Sequence, residues 1–159
     1  ISMINTSSRD NTFQFGYRNI QEDVLSFRPD IIFVMLGTLD AYSPGFLDTT
    51  IKKNLDRFFS ELVNDYGKII VITPPGLGFY RDENDERKYR LDDYNELLRE
   101  SAQYYQCVVF NLAYDMERLL AASPEEYRSL FSGADELSPK GNAYVASFVY
   151  RKLKGIMEE

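Results

Sequence analysis

Apolar residues along this chain fall into two alternating kinds of block. Short unbroken runs have the length and β-branched content of strands: Ile31-Ile32-Phe33-Val34-Met35-Leu36, Lys68–Thr73 around Ile69-Ile70-Val71-Ile72, and Val108–Leu112. They lack polar alternation, which predicts strands buried on both faces, as in a parallel sheet. Between them, apolar residues recur at helical spacing. Ile20, Val24 and Phe27 form one stripe after Gly16. Pro29 ends it, because the residue before a proline is pushed out of the α region. Ile51, Leu55, Phe58, Phe59, Leu62, Val63 and Tyr66 form a second stripe, stopped by Gly67. Leu91, Tyr94, Leu97, Leu98, Ala102 and Tyr105 form a third. Short helices are predicted over Tyr114–Ala122 and Pro124–Phe131. A final helix follows Ser138, a suitable N-cap, with Pro139 at its first position. Its buried face is Tyr144, Phe148, Val149, Leu153 and Ile156. Ile1–Asn5 reads as one more short strand, and Thr6–Thr12, Ser43-Pro44-Gly45 and Gly76–Lys88 read as loops.

Strands that alternate with helices in this way predict an α/β domain of three αβα layers with a mostly parallel sheet. No repeat, low-complexity tract or linker divides the 159 residues, so a single domain over 1–159 is expected. The 12 tyrosines and 11 phenylalanines argue for a packed core over disorder.

The net charge of −7 argues against nucleic acid and against an anionic membrane surface, both of which call for a basic footprint. No stretch approaches the ~20 apolar residues of a transmembrane helix. The single cysteine, Cys107, lies in the apolar run Cys107-Val108-Val109-Phe110 and reads as a small buried hydrophobe. A soluble protein is expected, either cytoplasmic or exported after removal of a signal segment, because the chain opens on Ile1.

Cofactor and metal signals are weak. There is no Gly-x-Gly-x-x-Gly and no P-loop, and Gly76-Leu77-Gly78 reads as a turn. Asp82, Glu83, Asp85 and Glu86 lack the spacing of a calcium hand and read as a solvated loop. Neither a cofactor nor a metal is expected.

Ligands of open α/β sheets bind beyond the carboxyl ends of the strands. That rule selects Gly37–Gly45, Pro74–Lys88 and Leu112–Asp115, with Gly133–Ser138 beside them. Two of these loops carry a resemblance. Arg28-Pro29-Asp30 through Gly37-Thr38-Leu39-Asp40 resembles the segment of SGNH (GDSL-type) hydrolases in which a Pro-Asp-led strand ends in Gly-x-Asn-Asp. Asp135-Glu136-Leu137-Ser138-Pro139-Lys140-Gly141, after Ser132-Gly133-Ala134, resembles the family's last block, Asp-x-x-His-Leu-Ser-x-x-Gly, which enters the C-terminal helix. Asn5–Thr12 resembles the second block, an Asn-led loop with an oxyanion-hole glycine. Val71-Ile72-Thr73-Pro74-Pro75 resembles the strand end after the third. The likeness runs in order through nearly the whole chain and implies a flavodoxin-like (SGNH hydrolase-like) sheet.

It also implies a chemistry that can be checked position by position. The family uses a serine nucleophile, a histidine base, an aspartate three residues before that histidine, and glycine and asparagine donors for the oxyanion. Here Glu136 stands at the histidine position and Gly133 at the aspartate position. Leu39 replaces the asparagine, and the glycine falls near Arg9 or Asp10. The sequence contains no histidine at all. In this register the family's first strand, with Gly-Asp-Ser, is absent. In a second register Asn5-Thr6-Ser7 falls on Gly-Asp-Ser and Ser7 becomes the nucleophile, but too little chain then remains before Pro29-Asp30 for the second strand and block.

The expected function is therefore a non-catalytic SGNH-like domain for binding or architecture, a pseudoenzyme. Its cleft, lined by Gly37, Thr38, Asp40, Tyr42, Tyr80 and Glu136, would hold a glycan or a protein partner, since exposed tyrosines suit both. The alternative is an esterase or acyltransferase whose nucleophile is upstream of this chain or is Ser7, with Glu136 as base. A third reading is a subunit that borrows a strand from a neighbour. Asp40 has a structural reading beside the functional one, as a cap for nearby backbone N–H groups.

Overall fold

The computed structural model of the chain describes residues 2–7, 12–42, 48–63, 67–78 and 85–158. Among these described residues eleven elements follow one another: α1 (Phe13–Asp23), a 3-10 turn (Leu25–Phe27), β1 (Ile31–Val34), α2 (Thr38–Tyr42), α3 (Asp48–Leu62), β2 (Lys68–Ile72), α4 (Glu86–Tyr104), β3 (Val108–Phe110), α5 (Leu112–Ala122), α6 (Pro124–Ser129) and α7 (Pro139–Met157).

The strands form one parallel sheet in the order β1-β2-β3. Phe33 pairs with Ile70 and Ile70 with Val108, so these three share one face. Parallel neighbours need crossovers, and right-handed ones that step in one direction put their helices on the same side. Accordingly α3 and α4, joined by α1, pack on the face carrying Ile32, Val34, Ile69 and Val71. On the opposite face, Ile70, Ile72 and Phe110 pack against Leu112 and Met116 of α5, Tyr127 of α6 and Phe148 of α7. The three-layer αβα architecture with a parallel sheet is thereby present.

β2 is buried on both faces from Ile69 to Ile72, as its unbroken apolar run requires. β1 departs from expectation. It is four residues long and alternates between exposed and buried. Ile31, Phe33 and Met35 remain 44%, 46% and 42% exposed on the face where α5–α7 cover only β2 and β3. Among the described residues β1 is an edge strand with one covered face, so its apolar run does not mean burial on both sides.

Other boundaries also move. Ser2–Asn5 form no strand, and residues 2–7 are exposed. α1 starts ahead of Gly16 because Thr12 accepts a hydrogen bond from the Phe15 N–H and caps it. α4 starts at Glu86, inside the segment that reads as a charged loop. β3 ends at Phe110 because Asn111 accepts from the Tyr114 N–H and opens α5. α7 begins as expected, with the Gly141 N–H donating to Ser138 Oγ and Pro139 in the first turn. Of its expected inner face only Phe148 is fully buried, while Tyr144, Val149, Leu153 and Ile156 are half-buried. Tyr66 lies outside the described residues.

Candidate functional site

The carboxyl ends of the strands collect the loops to which the sequence points. β1 runs into Gly37, whose φ of +101° places it in the region that favours glycine. A β-carbon there would overlap the ring and hydroxyl of Tyr94 from α4. The Tyr94 hydroxyl donates to the Leu36 carbonyl at 2.9 Å, which ties α4 to the end of β1. Burial, with the charge of Asp40 adding to it, holds the Tyr94 hydroxyl well above the usual phenol range.

Asp40 is buried on α2, and its Oδ2 accepts from the Phe13 N–H at 2.8 Å. It therefore holds the first turn of α1, 27 residues earlier, and does not stand free in a cleft. The N–H that Asp40 accepts from lies at the start of α1, not in the turn after β1. Thr38 and Tyr42 are half-buried on the same short helix, and Leu39 is 41% exposed.

Glu136 is exposed in a turn in which Ser132 N–H and Oγ both reach its backbone carbonyl, at 2.9 and 3.3 Å. This turn is tied to the loop after β2 by the Gly78 N–H donating to the Ala134 carbonyl at 2.7 Å. A β-carbon on Gly133 would meet only the Glu136 β-carbon, at 3.8 Å, so the position beside Glu136 is open. Gly78, Arg128, Phe131, Ser132 and Gly133 border a hollow of about 150 Å³ there. Gly141 must be glycine, since a side chain would run into the Leu130 carbonyl.

Ser7 is exposed, and its N–H donates to Asn5 Oδ1 at 3.0 Å. Residues 2–7 belong to no strand, so Ser7 does not sit at the tip of the sheet as the second register requires. Arg9, Asp10 and Tyr80 lie outside the described residues. Cys107 is half-buried, and burial pushes its thiol up to about 11.

One feature of this end of the molecule was not expected. Asp85, 8% exposed, caps α4 through the Arg87 N–H and accepts from Arg87 Nε and Nη2 at 3.0 and 2.7 Å. The hydrogen bonds to Asp85 raise the Arg87 pKa, against a lowering by burial. Asp85, Tyr42 and Asp135 add to the rise through their charge. A fork-shaped cation is thus pinned at the start of α4. The sequence held a signal for it, an Asp N-cap followed by an acid in the first turn, but the charged run around it hid the helix start. Thr73 likewise joins β2 to α5: its hydroxyl donates to Asn111 Oδ1 at 3.3 Å and accepts from the Ala113 N–H at 2.9 Å.

Chemically, the described residues offer hydroxyls, an ion pair and backbone groups, with no imidazole to move a proton near neutral pH. Among them, no three acidic, cysteine or histidine side chains are grouped to hold a metal. No helix among them is long and apolar enough to cross a membrane.

A sequence model of the GDSL-like lipase/acylhydrolase family matches residues 4–144. No curated protein sequence matches. Solved structures do. The chain superposes on a lipase/acylhydrolase from Enterococcus faecalis with a TM-score of 0.73 at 20% identity, over 92% of this chain and 72% of that one. It superposes on the acetyl xylan esterase AlAXEase with a TM-score of 0.79 at 21% identity, over 90% and 76%. For an acetylxylan esterase from Geobacillus stearothermophilus the TM-score is 0.74 at 18% identity, over 89% and 67%. At these identities the likeness establishes the fold.

Proposed function

Because the chain belongs to the GDSL-like lipase/acylhydrolase family, whose fold it shares, we propose that it is a member that has lost hydrolysis and serves binding or architecture. The observation that carries this reading is the state of the position resembling the family's base. It holds an exposed carboxylate, Glu136, next to Gly133, which supplies no side chain to orient it. A carboxylate is a weaker base than imidazole, and one that nothing orients has little power to deprotonate a serine. Leu39 removes a side-chain donor from the oxyanion position, a loss worth roughly a hundred- to a thousandfold in rate. Asp40 is committed to the Phe13 N–H.

The residues offered to a ligand in this reading are Thr38, Tyr42 and Glu136, and the ligand is a glycan. Support comes from fold neighbours named as acetyl xylan esterases. Titration with acetylated and unacetylated xylo-oligosaccharides tests it. Saturable binding without deacetylation, weakened at least fivefold by Tyr42→Ala, is the expected result. No binding of either sugar would restrict the reading to architecture.

A second reading is favoured by the open edge of β1 and its exposed Ile31, Phe33 and Met35. A further strand added there from outside this chain would bring a nucleophile to the same end of the sheet and make the assembly an esterase or acyltransferase. Reading the coding sequence upstream of Ile1 for Gly-Asp-Ser separates the two. The direct test is turnover of p-nitrophenyl acetate and butyrate by the purified chain beside Ser7→Ala and Glu136→Gln. Turnover indistinguishable from buffer is expected. Wild-type activity abolished by both substitutions would establish a Ser–Glu hydrolase in place of the proposal.

A further inference from the structure

We draw no further inference here: the strongest candidate, the open groove of about 470 Å³ that Lys52, Lys53 and Arg57 of α3 border together with Tyr105, lies on the solvent side of a helix, and nothing in the structure shows what would occupy it.

Discussion

Gly37, Asp40 and Cys107 show how a single residue's role depends on what the fold places beside it. Gly37 looks like a strand terminator in the sequence, yet its necessity comes from Tyr94, 57 positions later, together with a φ of +101°. Gly37→Ala should lose about 2–4 kcal/mol in urea unfolding, through backbone strain and the clash with Tyr94. Asp40 belongs to a residue type that caps, and that much was legible. Its partner, the Phe13 N–H, was not, because the pairing spans 27 residues. Asp40→Ala should cost about 1–3 kcal/mol by orphaning a buried N–H, and Asp40→Asn, which keeps an acceptor, clearly less. For Cys107 the folded thiol titrates near 11, above its ordinary value of 9.0. The folded state then holds its proton longer than the unfolded state, so this thiol makes stability fall as pH rises from about 9 to 11. Iodoacetamide should accordingly label native protein slowly at pH 8 and urea-unfolded protein fast. Equal rates would contradict the burial of the thiol.

At the scale of elements, β1 and α4 show where periodicity misleads. An unbroken apolar run says that a strand may be covered on both sides; whether it is covered depends on which helices lie above it. β2 has α3 and α4 on one face and α5–α7 on the other, whereas the second layer stops short of β1. Phe33→Thr should therefore change stability by less than about 1 kcal/mol, while Phe59→Ala in the covered layer should cost about 3–5 kcal/mol. Binding of a hydrophobic dye such as ANS should fall in Phe33→Thr if the open face is its site. α4 was legible from Leu91 onward by its apolar stripe. Its first turn has no such stripe and is built on Asp85 and Arg87. Asp85→Ala should lose about 1–2 kcal/mol, as removal of an N-cap does, and Arg87→Lys should recover little of the fork geometry.

For the molecule as a whole, the two apolar clusters meet at β2, which turns Ile69 and Val71 into one and Ile70 and Ile72 into the other. Neither can lose its packing without loosening the strand they share. Unfolding should therefore be one cooperative transition, with far-UV and near-UV circular dichroism coinciding in urea, and Phe148→Ala and Phe59→Ala should both shift its midpoint. Separate transitions would show that the clusters fold independently.

By itself the sequence determined the class of fold, the order of the elements, the two segments that place the chain in its family, and the absence of histidine. These are local or compositional facts: a run of β-branched residues, a helical stripe, a Ser-Pro helix start. Tertiary structure decided the rest. It left β1 at an edge, gave Asp40 to the start of α1, left Glu136 in water, and built the first turn of α4 on the Asp85–Arg87 pair. Each of these depends on which residues meet across dozens of positions, and no spacing within a window of ten or twenty residues carries that information.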